Sequence, residues 1–159
     1  MKTNACRLLD QMQIEYDVVM YEDGGQPLTA TEVAIRIGFA VEQVFKTLVT
    51  RGQTTGVVLA VIPGSEELDL KRLAKASGNK TVEMVHQNEL LPLTGYVRGG
   101  VSPIGCRKKY PVYIDEFAAA CDRISVSAGL RGTQIVLSPH NLAKACEAEF
   151  ADLIHRQGG

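Results

Sequence analysis

One lysine and two glycine-rich segments have residue types and spacing that could do chemistry. The first segment is Val44-Phe45-Lys46-Thr47-Leu48. A lysine entering a buried strand can aim a cation into a pocket. A solvated lysine at a helix end, where cations are favoured anyway, is the plainer reading. The second segment is Gly99-Gly100-Val101-Ser102-Pro103-Ile104-Gly105. Glycines let backbone N–H groups come close to a ligand, and successive N–H groups can cradle an oxyanion. A tight structural turn would use the same residues. The third is Val126-Ser127-Ala128-Gly129-Leu130-Arg131-Gly132, a strand that ends in Ser and Gly. It can hold a ligand or simply close a hairpin. Arg107-Lys108-Lys109 is the best local basic patch. It reads either as a solvated turn or as a contact for phosphates.

Other common chemistries lack their residues. There is no G-x-S-x-G elbow and no Walker loop. The histidines, His86, His140 and His155, read as surface residues, so no Ser-His-Asp triad is expected. Cys6, Cys106, Cys121 and Cys146 form no C-x-x-C pair and lack zinc-ligand spacing. They are expected to be reduced thiols, with Cys6, Cys121 and Cys146 serving as packing. Cys106 adjoins Arg107, Lys108 and Lys109, which could lower its pKa, although an inert role is favoured. No metal and no cofactor is expected.

The elements that must position these residues follow from periodicity and caps. Ala5, Leu8, Leu9 and Met12 repeat at helical spacing. Glu15 to Glu22 predicts a strand, closed by the turn Asp23-Gly24-Gly25-Gln26-Pro27. Thr29 with Glu32 makes a capping box, and Gly38 stops the helix between. Val41 to Phe45 predicts a helical turn. Thr47 to Thr50 and the apolar Val57 to Ile62 predict paired strands. Asp69 caps a helix that Gly78 ends. Thr81 to Val85 predicts a short strand and Glu89 to Leu91 a helical turn. Gly95 to Gly105 predicts a structured loop. Val112 to Asp115, Arg123 to Ser127 and Gln134 to Leu137 predict strands, with a turn over Ala128 to Gly132. Ser138-Pro139 opens a closing helix. That helix is expected to align Leu142, Cys146, Phe150, Leu153 and Ile154. About seven strands and four or five helices, not alternating strictly, read as α+β with a mixed sheet.

The chain has 159 residues, 45% apolar and 22% charged. These values suit one globular domain over 1–159, large enough to fold without metal or disulfide. No apolar run approaches the ~20 residues of a membrane span, so no membrane partner is expected. The N-terminus lacks a signal-peptide core, which points to the cytoplasm. With 17 basic and 18 acidic residues the net charge is −1. Charge alone therefore gives little affinity for nucleic acid, and no DNA partner is expected.

Taken in order, Phe45-Lys46-Thr47-Leu48, the central apolar strand, Leu68-Asp69-Leu70-Lys71, Gly99-Gly100-Val101-Ser102-Pro103-Ile104-Gly105 and Val126-Ser127-Ala128-Gly129-Leu130-Arg131-Gly132 resemble the YbaK family. These are free-standing relatives of the editing domain inserted in bacterial prolyl-tRNA synthetases. The resemblance runs from about Cys6 to Ile154. It implies a compact α+β domain with a curved, mixed, mostly antiparallel sheet, flanking helices and a small cleft. It also implies hydrolysis of the ester in a mischarged tRNA(Pro), first of all Cys-tRNA(Pro).

By that resemblance Lys46 matches the family's key lysine, and Gly99, Gly100, Ser102 and Pro103 match its glycine-rich loop. Tyr21 matches its first-strand tyrosine, and Ser127 and Gly129 its late Ser-Gly segment. Lys46, Gly99, Gly100 and Ser102 are then expected to be catalytic. Tyr21, Phe45, Thr47, Pro103, Ser127 and Gly129 are expected to bind substrate, and Arg107, Lys108 and Lys109 to contact acceptor-stem phosphates. The sequence departs from the pattern at Ala128, where glycine is common, and at Gln134, where close relatives carry an acidic residue.

An aminoacyl ester is already reactive, so position and electrostatics can suffice. Backbone N–H groups near Gly99 and Gly100 would stabilise the oxyanion, and Lys46 would hold the terminal adenosine phosphate or ribose, or help the oxyanion. Either a cysteinyl substrate's own thiol or water would attack. The expected partners are the aminoacyl-tRNA 3′ end and acceptor stem, with prolyl-tRNA synthetase as a transient partner. The alternatives are Ala-tRNA(Pro) or another small aminoacyl ester as substrate, or a binding module that recognises aminoacyl-tRNA or synthetase without turnover.

Overall fold

The computed structural model describes residues 2–155. Eight strands and five α-helices are present among the described residues, in α+β order. Helix α1, Asn4–Gln11, is capped by the Thr3 hydroxyl, which accepts from Cys6 N–H. Strand β1 is Asp17–Met20. Helix α2, Ala30–Ile37, carries the expected Thr29–Glu32 capping box and ends at left-handed Gly38. Strands β2, Phe45–Gly52, and β3, Gly56–Pro63, form an antiparallel hairpin. Helix α3, Leu70–Ser77, starts at Asp69 and stops at left-handed Gly78. Strand β4 is Val82–Met84 and helix α4 is Leu90–Thr94. Strand β5 is Val112–Asp115. Strands β6, Ile124–Leu130, and β7, Thr133–Leu137, make the second hairpin. Helix α5 is Pro139–Cys146 and strand β8 is Glu149–Ala151.

The strands form two sheets rather than the one expected. The smaller runs β1-β7-β6, and the larger β4-β2-β3-β5-β8. Four of the six pairings are antiparallel, while β3-β5 and β5-β8 are parallel. A single parallel bridge between Val44 and Ser125 joins the sheets. One face of the hairpins, with Phe45, Val49, Leu59, Val61, Ile124, Val126 and Ile135, packs into the main core with α1 and α5 residues. The opposite face of β3, through Val58, Ala60 and Ile62, packs on Leu73 and Ala74 of α3. Full burial of each such large side chain stabilises by about 1.5–3 kcal/mol.

Two expectations are corrected. The turn placed at Ala128–Gly132 is shorter, because β6 continues to Leu130 through a bulge between Ser127 and Leu130. The last helix does not extend to Ile154. Glu147 takes a left-handed conformation at φ 52°, and its N–H bonds back to Ala143 and Lys144. Phe150 then enters β8, and Leu153 N–H donates to the buried Asp115 carboxylate at 2.9 Å.

Candidate functional site

Beyond the Val44–Ser125 bridge the two sheets do not pair among the described residues. Strand β4 covers β2 only at Thr50, Arg51 and Gly52. The first half of β2 therefore has a free edge, and a cleft of about 520 Å³ opens there. Phe45, Lys46 and Thr47 line it together with Ser127 and Gln134 of the small sheet. Tyr21 and Asp23 after β1, the start of α2, and Arg98 and Gly99 close its sides.

Lys46 is half-buried in this cleft. Burial pushes its pKa below the usual lysine value, and the carboxylates of Glu67 and Glu66 act against that shift. Among the described residues it forms no ion pair. Its neighbour Thr47 has a buried hydroxyl with no hydrogen-bond partner. An unpaired buried hydroxyl costs about 1–3 kcal/mol, so such a group lining a cleft is suited to a polar atom of a ligand.

The glycine-rich loop is a built turn. Gly100 N–H donates to Val97 O at 2.9 Å, and Gly99 has φ +86°, the geometry of a turn with glycine at its third position. This corrects one expectation: Gly100 N–H is occupied inside the turn and is no oxyanion donor. Gly99 N–H makes no hydrogen bond among the described residues, and Gly99 lines the cleft.

Ser102 and Pro103 lie outside the cleft lining and are buried. The Ser102 hydroxyl accepts from Ile104 N–H at 3.2 Å. The Ser102 and Pro103 carbonyls accept from the thiols of Cys106 and Cys146, each at 3.4 Å. Both residues therefore shape the loop. Gly129 is also outside the lining. Its φ is +102°, and a Cβ there would stand 2.7 Å from Tyr96 Cε1. Its N–H donates to Ser127 Oγ at 3.1 Å. Tyr96, which the sequence did not single out, donates its hydroxyl to Ile104 O at 2.5 Å. Burial raises its pKa well above the usual tyrosine value. It ties the glycine loop to the bulge of β6.

Arg107, Lys108 and Lys109 are exposed and do not line the cleft. Lys109 pairs with Glu147, and the Arg107 stem lies against Gly95. The cleft's own cations besides Lys46 are Arg98 and Arg131. The only hint of them in the sequence was a cation within two residues of each glycine pattern. Cys106 is not activated by its basic neighbours: burial pushes its thiol up to about 11, and that of Cys146 up to about 12. No cysteine or histidine is among the described residues lining the cleft. Among the described residues no three His, Cys, Asp or Glu side chains are grouped to hold a metal ion, and no helix is long and apolar enough to cross a membrane. Gln134 is buried in the cleft wall, and its Oε1 accepts from Ser125 Oγ at 2.6 Å.

The profile of the aminoacyl-tRNA editing domain family matches residues 26–145. The chain is 47% identical, over 98% of its length and 95% of the relative's, to EbsC of Enterococcus faecalis, by its name a candidate Cys-tRNA(Pro)/Cys-tRNA(Cys) deacylase. It is 29% identical over 68% of its length to the proline--tRNA ligase of Shouchella clausii, of which it matches 19%. A crystal structure described as a candidate trans-editing enzyme for prolyl tRNA synthetase superposes with a TM-score of 0.84 at 26% identity, covering 98% of this chain and 99% of that one.

Proposed function

The chain belongs to the aminoacyl-tRNA editing domain family, and on that footing we propose that it removes cysteine from mischarged Cys-tRNA(Pro), working in trans to prolyl-tRNA synthetase. Editing of aminoacyl-tRNA by ester hydrolysis is the activity its relatives are named for. The observation that carries the finer reading is the pairing in one cleft of a desolvated, unpaired Lys46 with the unpartnered Thr47 hydroxyl, and with no thiol or imidazole beside them. Such a site offers electrostatics and orientation, and its Thr47 and Ser127 hydroxyls have no histidine beside them, among the described residues, to act as a base.

The chemistry then comes from the substrate. The cysteinyl sulfur attacks its own ester carbonyl. The new S–C bond forms, the bond to the ribose oxygen breaks, and the thiol proton ends on that oxygen. Water later opens the small cyclic thioester. Lys46 Nζ, with Gly99 N–H, would face the oxyanion, and Thr47 Oγ1 would hold a polar atom of the aminoacyl group. Tyr21, Phe45 and Ser127 would wall the amino-acid end. Similarity to a segment of a proline--tRNA ligase, together with a net charge of −1, supports tRNA delivery by a transient synthetase partner rather than by charge.

The test replaces the sulfur. Cys-tRNA(Pro) and Ser-tRNA(Pro) are compared in single turnover. Loss of cysteine with near-complete retention of serine supports thiol attack. Equal loss of both means water attacks, and preferential loss from Ala-tRNA(Pro) moves the substrate. Retention of every ester by folded protein that binds the tRNA supports a non-catalytic binding module instead.

A further inference from the structure

The cleft's charge runs against that of the chain. Three cations, Lys46, Arg98 and Arg131, line it against the single carboxylate of Asp23, while the whole chain carries −1. The two arginines flank Gly99 differently. Arg98 precedes it in the loop, is exposed, and donates from Nη1 to Gln87 Oε1 at 3.3 Å. No carboxylate pairs with it among the described residues. Arg131 comes from the turn after β6, and its stem lies across Gly99, where a Cβ would stand 2.8 Å from Cδ. Its Nε lies 3.4 Å from Asp23 Oδ2. A guanidinium has five N–H donors in a fixed fork, so both arginines keep donors for an anion while their stems are held. Lys46 sits deeper, half-buried.

We propose that Arg98 and Arg131 form an anion subsite at the rim of the cleft that takes a backbone phosphate of the RNA's single-stranded 3′ end. This rests on the deacylase reading and deepens it: the cleft itself, not the 107–109 turn, reads the RNA backbone. Arginine forks suit phosphate oxygens, and charge-assisted bonds of this kind are among the strong ones. With Arg98 and Arg131 on the phosphate, Lys46 is left for the reacting ester.

The experiment compares a cysteine-charged RNA hairpin ending in single-stranded CCA with the cysteinyl ester of adenosine, which has no phosphate. Arg98→Gln, Arg131→Gln and the double variant are run beside Lys75→Gln/Lys80→Gln, which removes the same charge at exposed positions outside the cleft. Each arginine change is expected to lower kcat/KM on the hairpin about tenfold, with the adenosine ester within about twofold. The salt slope on the hairpin should fall by about 0.7 for each phosphate released from an arginine. Equal losses on both substrates, or the same loss in the Lys75/Lys80 variant, overturn the proposal. Binding of the uncharged hairpin is measured alongside by fluorescence anisotropy. If affinity depends on the arginines while no ester is cleaved, the subsite stands and the deacylase reading falls. If esters are cleaved and neither rate nor affinity depends on the arginines, the reverse holds. Arginine-dependent binding of inorganic phosphate without any affinity for the hairpin also overturns the proposal.

Discussion

Gly99 and Arg131 are interlocked. The arginine stem occupies the space a Cβ at Gly99 would need, with Arg131 Cδ at 2.8 Å and Cγ at 3.0 Å from that point, and Pro27 Cβ at 3.2 Å on the other side. At φ +86° the backbone also favours glycine. Gly99→Ala is therefore expected to lose about 1–3 kcal/mol in denaturant unfolding. It should also lower ester hydrolysis by about 10²-fold, because the displaced loop misplaces the cleft wall. Wild-type stability and rate in this variant would show that the loop does not set the site.

Thr47→Val keeps the shape of the side chain and removes the orphan hydroxyl. The free protein should be as stable as wild type or more stable, by about 1 kcal/mol, because an unsatisfied buried group is gone. Its kcat/KM on the charged tRNA should fall about tenfold. A variant that is less stable and equally active would mean the hydroxyl serves the fold.

Lys46 makes stability depend on pH. Its folded pKa lies below the ordinary lysine value of 10.5, with burial as the main cause. Between those two values this side chain binds more protons in the unfolded chain than in the folded one, so its own contribution to stability rises with pH across that window, while the buried thiols of Cys106 and Cys146 pull the other way. Below it, holding a charged lysine in the cleft costs stability. Lys46→Met should accordingly gain more stability over wild type at about pH 7 than at about pH 10, measured by denaturant unfolding, while abolishing activity. A stability difference between Lys46→Met and wild type that is flat or grows with pH would contradict the assignment.

Cys106 is expected to react slowly. With its thiol pushed up to about 11 by burial and donating to Ser102 O, labelling by iodoacetamide at about pH 8 should run about two orders of magnitude below free cysteine. Cys106→Ala should leave the deacylation rate unchanged. Rapid labelling coupled to loss of activity would instead put a protein thiol in the chemistry.

Local signals in the sequence were strong where caps and periodicity decide. The Thr29–Glu32 box, Asp69, Ser138 and the stops at Gly38 and Gly78 all stand as expected. Cleft residues on one strand, Phe45, Lys46 and Thr47, were legible because they are contiguous. Other features depend on tertiary contacts that no single segment encodes. The left-handed turn at Glu147 is held with a C-terminal segment anchored on Asp115. The extension of β6 needs the bulge against Tyr96. Ser102, Pro103 and Gly129 lie outside the cleft lining, which residue type alone does not reveal. Arg98, Arg131 and Asp23 come together only when the loop, the β6–β7 turn and the end of β1 meet.

On the proposed function, a desolvated Lys46 in this cleft drives deacylation of Cys-tRNA(Pro). The most direct test is single-turnover ester loss from Cys-tRNA(Pro), with Pro-tRNA(Pro) alongside, for wild type and a folded Lys46→Ala variant. Rapid loss of cysteine, retention of proline, and a drop of at least about 10²-fold on substitution are expected. Cysteine loss that persists at the wild-type rate in Lys46→Ala would contradict it.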